Sequence, residues 1–295
     1  MFYDTLCLSS GGIYGISFIG AIDYLIEENI INLNNIKNFV GTSVGALFLF
    51  LLVIGYSIKD INDIIINFNF NKLQTEINID EILNNFGINN GSKFCFTIQF
   101  FLKKKLNLDD ITFNELYQKT NVNFTVIGTN FSKGEEKIFN HINTPNMSIL
   151  TAVRISISIP IIFTPVLYNN EYYVDGALSN IFPINHCNQE TTISINLTYP
   201  ENYEINNIID IFLNSLNIIA KTISCKNKYY INDNIINIYN DNSSLVSFNF
   251  NVTLEDKIKL IKLGRDSTIN HINNSNLHIK IICKNIIDDI INTLL

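Results

Sequence analysis

The sequence predicts an α/β fold with a mostly parallel central sheet covered by helices. The chain opens with a buried strand at residues 2–9, then a glycine-containing turn and a helical apolar pattern over residues 15–29. A second strand, Ile36–Val40, leads through another turn into an apolar helix, Val44–Ile58. Strands that alternate with helices favour parallel pairing, because each helix carries the chain back to the start of the sheet.

The rest of the chain supports the same fold class. Residues 60–120 have mainly helical patterns, and a short helix is predicted at Thr151–Ile157. Further strands are predicted at Asn123–Thr129, Glu136–Phe139, Glu171–Val174 and Thr192–Leu197. Beyond residue 201 the pattern is helical again, most clearly at Ile208–Ile223 and Ile279–Leu295. Since no linker divides the chain, we predict one domain: a catalytic core over residues 1–200, with a mainly helical part over 201–295 packed on it.

Composition excludes several classes of protein. Hydrophobic residues make up 47% of the 295 residues and charged residues 16%, which is enough apolar material for a core. The formal net charge of −7 indicates no basic surface for nucleic acid, and contact with a membrane would need a local patch. Residues 1–10 lack the basic start and apolar run of a signal peptide, which favours a cytoplasmic setting.

The cysteines indicate neither a disulfide framework nor a zinc site. They are odd in number, widely spaced, and include no C-x-x-C pair. The five are Cys7, Cys95, Cys187, Cys225 and Cys283. A reducing environment therefore fits best.

The segment Gly41-Thr42-Ser43-Val44-Gly45 fits the pattern G-x-S-x-G between a strand and an apolar helix. In such a turn the serine hydroxyl is exposed at the strand end, and the glycines let strand and helix backbones approach. The following helix directs its positive N-terminal end at the reacting oxygen. Ser43 is thus a candidate nucleophile; the alternative is a plain turn in which Ser43 only caps the helix.

Two further motifs complete a candidate site. Ser10-Gly11-Gly12-Ile13-Tyr14-Gly15 closes the first strand, and its side-chain-free positions allow backbone N–H groups to converge on an oxyanion. The alternatives are a dinucleotide loop, although the spacing is not G-x-G-x-x-G, or a plain helix-starting turn.

Asp175-Gly176 follows a strand, and its carboxylate is a candidate acceptor for the Ser43 proton. The alternative there is a turn aspartate that bonds its own backbone.

These three motifs, in this order, resemble the patatin-like phospholipase family. The glycine-rich loop, the nucleophile turn and the Asp-Gly pair each match a family motif. Val126–Phe139 and Ala152–Asn180 are similar as well, the latter through its Ser-x-Pro-x-x-Phe-x-Pro run. The resemblance covers about residues 5–185, with a faint likeness at Lys257–Gly264. The chain departs from the family at three positions, Ser10, Tyr14 and Ala177, where a glycine, a basic residue and a glycine are usual.

The resemblance implies a three-layer αβα fold and a Ser–Asp dyad rather than a triad. Ser43 would be the nucleophile, Asp175 its proton acceptor, and Gly11 and Gly12 the oxyanion hole. The turns would be shaped by Gly15, Gly41, Gly45 and Gly176. The implied protein is a lipid acyl hydrolase of the phospholipase A type, which needs no metal or other cofactor. Its substrate would be a phospholipid or another acyl lipid, met in transient contact with a membrane surface.

Three alternatives remain open at this point. The altered Ser10, Tyr14 and Ala177 allow an inactive lipid-binding or interaction module. The chain has four histidines, His141, His186, His271 and His278. The order Ser–Asp–His would allow His271 or His278 to act as the base of a triad. Phe94–Leu106 combines aromatic residues with three lysines, which suits either a membrane-contacting lid or a core helix with a solvated end; we favour the core helix.

Overall fold

The structure is a computed structural model that describes residues 3–74, 84–198, 232–239 and 251–275, with isolated positions at 82, 205, 211, 214, 215 and 218. The helix predicted at 279–295 lies outside these residues, as does that at 208–223 apart from four isolated positions. Cys225, His278 and Cys283 also lie outside the described residues. The division of the chain at residue 200 stays a prediction.

The described residues form helices and strands that we number in chain order. The helices are α1 (Ser17–Glu27), α2 (Val44–Val53), α3 (Ile58–Asn67), α4 (Ser92–Leu106), α5 (Phe113–Thr120), α6 (Ile149–Ser156) and α7 (Leu254–Asn274). The strands are β1 (Thr5–Leu8), β2 (Asn38–Thr42), β3 (Gly87–Asn89), β4 (Asn123–Asn130), β5 (Glu135–Phe139), β6 (Ile161–Phe163), β7 (Val166–Tyr168), β8 (Glu171–Asp175), β9 (Thr192–Thr198) and β10 (Ile235–Tyr239).

The main sheet confirms the predicted α/β class. Hydrogen bonds connect its strands in the order β10-β9-β1-β2-β4-β8-β7, and the five strands from β10 to β4 run parallel to one another. β5 and β8 pair antiparallel with β4, and β7 pairs antiparallel with β8. Helices flank this sheet, since parallel neighbours must be joined by crossovers that cover its faces.

The central strands are buried on both faces. In β1, Leu6 and Leu8 belong to the large core, whereas Cys7 points to a second, smaller core with Val40 and Ile184. Successive residues of a strand face opposite sides, so the two cores lie on opposite faces of the sheet. The apolar run of β1 is therefore explained by helices on one face and by the segment after Asp175 on the other.

Some predicted boundaries differ from the structure. The helix predicted over 15–29 begins as a 3-10 turn at Gly12–Ile16, and β2 begins two residues later than predicted. α2 ends at Val53, because Gly55 takes a left-handed conformation with a φ of 100° that stops the helix. None of the described helices is both long and apolar enough to cross a membrane.

Four strands were not predicted, whereas α7 lies in the part of the chain that was predicted to be mainly helical. β3, β6 and β7 have only three residues each, and β3 and β6 form a separate two-stranded sheet. β10 completes the main sheet beyond β9, although its surroundings read as helical. α7 is the longest described helix, and it packs along α1.

The contact between α1 and α7 depends on two glycines. A Cβ added at Gly20 would overlap the carbonyl oxygen of Ile261, and a Cβ at Gly264 would overlap that of Ser17. The helix backbones therefore touch with no side chain between them. This contact fixes α7 against the N-terminal half of the domain.

We predict that Gly20→Ala lowers the free energy of unfolding by about 2–3 kcal/mol, since the added methyl forces the helices apart. In a helix without this contact, a glycine-to-alanine change would raise the free energy of unfolding by about 1 kcal/mol. The sign of the change therefore shows whether the contact is present. Chemical denaturation monitored by circular dichroism measures it. Lys259→Ala, at an exposed ion pair of α7, is the control and should change stability by less than about 0.5 kcal/mol. A neutral or stabilising effect of Gly20→Ala would rule out the close contact.

Candidate active site

Two strands meet end to end along one edge of β4. β2 runs parallel to β4 and ends with Thr42 opposite Ile127, and β8 runs antiparallel and ends with Asp175 opposite Gly128. β5 pairs with this same part of β4 and must occupy its other edge, so β2 and β8 share one edge. The carboxyl ends of β2 and β8 are therefore one register step apart. This places Ser43, the next residue after β2, beside Asp175.

Ser43 occupies a strained turn between β2 and α2. Its φ of 55° and ψ of −123° are unfavourable for a residue with a side chain, and only the surrounding packing can hold them. A Cβ at Gly41 would come within 2.7 Å of the Ala46 nitrogen, and one at Gly45 within 2.5 Å of the Ser9 carbonyl oxygen. The glycines of the G-x-S-x-G motif thus permit the tight approach on which the turn depends.

Asp175 receives a hydrogen bond on each carboxylate oxygen. The Ser43 hydroxyl donates to Oδ2 at 2.7 Å, and the Ala177 N–H donates to Oδ1 at 2.8 Å. Both residues are buried, Ser43 with 5% and Asp175 with 1% of its surface exposed. Burial raises the pKa of Asp175 to about 7, and the two hydrogen bonds offset only part of that effect. Ala177 fits here because its φ is not positive.

Ser156, the last residue of α6, anchors the nucleophile turn through hydrogen bonds of its hydroxyl. Its Oγ accepts the Ser43 backbone N–H at 2.8 Å and donates to the Ile127 carbonyl oxygen at 2.5 Å. Ser156 is fully buried. Ser156 is not among the site residues predicted from the sequence. The signal was present, since Ser156 and Ser158 are polar residues within the otherwise apolar run before Pro160.

The glycine-rich loop packs against the nucleophile turn. Gly12, with a left-handed φ of 55°, and Gly15 line a cavity together with Ser43. A Cβ at Gly15 would press on the Val44 side chain, and one at Gly11 on Leu197, so both glycines allow close packing. Ser10 is buried and its N–H donates to the Ile181 carbonyl oxygen at 2.9 Å. The serine is therefore accommodated where the family usually has glycine.

The cavity beside Ser43 is lined by aliphatic and aromatic side chains, with the Ser43 hydroxyl among them. Its volume is about 150 Å³, and an apolar cavity of that size is large enough for a benzene-sized group. Its walls come from α1, α2, α3, α4 and β6. They include Ile16, Leu47, Leu51, Ile65, Phe94, Ile159 and Phe163.

Comparison with known proteins decides the family. The family model for patatin-like phospholipases matches residues 6–187, well over half of the chain. The chain belongs to the patatin-like phospholipase family. The motifs that carried the resemblance all lie within this range.

Two relatives of this patatin-like protein occur in viruses. An uncharacterized protein of Acanthamoeba polyphaga mimivirus is 30% identical over 276 residues, which cover 88% of this chain and 90% of that protein. A probable lipid hydrolase of Invertebrate iridescent virus 6 is 37% identical over 188 residues, 62% of each chain. VipD from Legionella pneumophila has a similar fold, with a TM-score of 0.60 at 20% identity over 92% of this chain and 67% of that one.

The contacts of the described histidines are with residues other than Ser43 and Asp175. His271 makes a 2.7 Å contact with the carbonyl oxygen of Asp233, His186 pairs with Glu136 at 2.6 Å, and His141 contacts Asn123 at 3.0 Å. Ser43 instead meets Asp175 directly. Among the described residues no three His, Cys, Asp or Glu side chains converge as a metal site requires.

Arg154 joins the segments that enclose the patatin-like site. Its buried guanidinium donates to the carbonyl oxygens of Asn90 and Thr164, both at 3.1 Å, and to the Ser158 hydroxyl. The Ser158 carbonyl oxygen in turn accepts the Asp175 N–H at 2.9 Å. One side chain thus links the strand that ends at Asp175 to the two turns before α4 and after β6.

We predict that Ser156→Ala lowers kcat by about 10- to 100-fold with little change in KM, because the nucleophile turn loses a backbone anchor while the cavity is unchanged. Steady-state hydrolysis of a soluble ester gives both constants. Ser148→Ala, the N-cap of the same helix, is the matched control: it removes a hydrogen bond to the Thr151 N–H and costs about 1 kcal/mol of stability, without an effect on kcat. Equal kcat values for the two variants would show that Ser156 does not position Ser43.

Proposed function

We propose that this protein is a lipid acyl hydrolase of the phospholipase A type that works through a Ser43–Asp175 dyad. The observation that carries the proposal is the 2.7 Å hydrogen bond from the Ser43 hydroxyl to the Asp175 carboxylate, with Ser43 lining an apolar cavity. Family membership supports lipid hydrolysis in general. The similar iridescent virus protein is named a probable lipid hydrolase, which is consistent with it.

The reaction proceeds in two steps. In the first, Ser43 Oγ attacks the ester carbonyl carbon while its proton passes to Asp175 Oδ2, which then protonates the departing alcohol. This leaves an acyl group on Ser43. In the second step Asp175 takes a proton from water, the hydroxide attacks the acyl carbonyl, and Ser43 leaves with that proton. Fatty acid is released and both residues return to their starting state.

The negative charge that forms on the carbonyl oxygen needs donors that are already oriented. The backbone N–H groups of Gly11 and Gly12 are the proposed donors. Gly12 lines the cavity with Ser43, and the first N–H groups of the 3-10 turn that begins there have no acceptor within the turn. The N-terminus of α2, which Ser43 caps, adds a favourable field. Each such donor typically contributes about 3–4 kcal/mol to the transition state.

The walls of the cavity favour an acyl chain over a polar substrate. Ile16, Leu47 and Phe94 are among the side chains that would contact it, and none can bond to a phosphate. A nucleotide would require polar partners for its phosphates there. An acyl lipid places its apolar chain in this cavity and its ester at Ser43.

The rival proposal is an inactive module that binds lipid without cleaving it. The departures at Ser10, Tyr14 and Ala177 motivate it. Against it stand the strained φ of Ser43 and the buried Asp175, since a binding module has no need to retain either costly feature. A fluorophosphonate ester labels an activated serine, so labelling of the wild type but not of Ser43→Ala would exclude the inactive module.

We predict that Ser43→Ala and Asp175→Ala each reduce fatty-acid release by at least about a thousandfold, because either change removes the dyad. The measurement is fatty acid released from defined phospholipids that differ in head group and in acyl chain at each position. Ser179→Ala is the control, since that hydroxyl bonds the Thr129 hydroxyl and the Gly176 carbonyl oxygen but neither side chain of the dyad. Release by Ser43→Ala at the wild-type rate would refute the proposed nucleophile.

We predict that kcat/KM rises with pH through about 7 and levels off above about 8. Asp175 must be ionised to accept the proton, and because burial raises its pKa to about 7, the active fraction falls about tenfold per pH unit below pH 6. Initial rates on a soluble ester across pH 5–9 give the profile. Asp175→Asn should retain only a low rate without this ionisation. A wild-type profile that is flat across pH 6–8 would contradict Asp175 as the base.

A further inference from the structure

The outer face of α4 is apolar where a surface helix is usually polar. Phe96 is 71% exposed and Phe100 is 52% exposed, and they lie one turn apart on the same side of the helix. The opposite side carries the buried Ile98 and Leu102. The prediction of a core helix is thus correct for one face and wrong for the other. Two exposed phenyl rings on adjacent turns indicate a surface that another apolar body covers.

Lysines surround these two rings. At 100° per residue, Lys93, Lys103 and Lys104 fall on the same side of α4 as Phe96 and Phe100. The helix contains no acidic residue, although the chain as a whole carries a net charge of −7. Lys103 pairs with Asp109 at 2.9 Å, whereas Lys93 and Lys104 are in no ion pair with another described residue. This is a local basic and aromatic surface on an otherwise acidic protein. We call the five residues Lys93, Phe96, Phe100, Lys103 and Lys104 the docking face.

The docking face and the proposed substrate cavity lie on opposite sides of α4. Phe94, on the inner side of α4, lines the cavity and contacts Phe163 of β6 with ring centroids 5.3 Å apart. The ribbon of β3 and β6 presents two more exposed apolar residues, Phe86 and Ile161. Both have left-handed φ values, 62° and 69°, which are costly for bulky side chains and are usually retained for function.

We propose that the docking face binds an anionic phospholipid bilayer, with Phe96 and Phe100 inserted between the lipids and Lys93, Lys103 and Lys104 at the head groups. An amphipathic helix with aromatic residues flanked by lysines has the chemistry that an anionic lipid surface recognises. The opposite face of the same helix then receives the acyl chain. This proposal rests on the proposed function, because it identifies the surface through which the enzyme reaches its lipid.

The test measures binding to vesicles without turnover. Proteins carrying Ser43→Ala are sedimented with vesicles of phosphatidylcholine alone or of phosphatidylcholine with about 30% phosphatidylserine. The anionic lipid gives the second vesicles a negative surface that attracts lysines. Phe96→Ser with Phe100→Ser should weaken partitioning into the anionic vesicles by at least about tenfold, since each buried phenyl ring contributes about that factor. Lys93→Gln with Lys104→Gln should remove most of the preference for anionic vesicles, and high salt should do the same.

A second helix offers a matched control. Leu254 and Ile258 of α7 are 55% and 53% exposed and are also four residues apart, but Glu255 and Asp256 lie beside them. Leu254→Ser with Ile258→Ser should leave vesicle binding unchanged. Equal losses for the two double variants would overturn the docking face. So would analytical ultracentrifugation that shows a lipid-free dimer dissociated by the Phe96 and Phe100 changes, because the occupant would then be a second copy of the chain.

Hydrolysis of a soluble short-chain ester separates this proposal from the proposed function. In a background with Ser43 intact, the Phe96 and Phe100 changes should leave that hydrolysis within about twofold of wild type, because neither residue lines the cavity. Phenylalanine-dependent vesicle binding without ester hydrolysis by the wild type would support the docking face and refute the enzyme. If the wild type hydrolyses the ester but its vesicle binding is unaffected by the Phe96 and Phe100 changes, the proposed function is supported and the docking face is refuted.

Discussion

The site depends on a single register step on β4. β2 stops opposite Ile127 and β8 stops opposite Gly128, so two residues that are far apart in sequence become neighbours. A slip of β8 by one residue would turn the Asp175 side chain to the other face of the sheet. Several contacts oppose that slip: the Thr129 hydroxyl donates to the Asp175 carbonyl oxygen at 2.8 Å, and Gly176 packs directly on the carbonyl group of Ile127. Register therefore has the same importance here as the identity of the two residues.

The apolar surroundings serve both binding and chemistry. Burial of Asp175 is costly because its ionised form loses water, and the same loss raises its pKa to about 7. A carboxylate with the ordinary pKa of aspartate would be a weak base at neutral pH. In a triad a histidine supplies the missing basicity. The proposed dyad would have to obtain it from the environment of the carboxylate, and the burial of Asp175 supplies it.

The nucleophile turn, the glycine loop and the Asp-Gly turn could be read from the sequence because each is a local pattern set by glycine sterics. The sequence marks Ser156 only as a polar residue in an apolar run. Its bond to the Ser43 backbone could not be predicted, because the two residues are 113 positions apart. The strands β3 and β6 are too short for a periodic signal, and they pair across about 70 residues. In α4, aromatic residues fall on both faces, so periodicity alone could not show which face is buried.

In the proposed reaction, the size of the cavity connects the surface around α4 with catalysis. A volume of about 150 Å³ holds only part of a long acyl chain, so the remainder of a lipid has to stay in apolar surroundings while its ester lies at Ser43. Water would be a costly alternative for those methylene groups. A helix with one face toward the cavity and exposed phenyl rings on the other leaves only its own thickness, about 10 Å, between the two environments. On this view the lipid is never fully extracted, and the wall of the site is also its boundary with the bilayer.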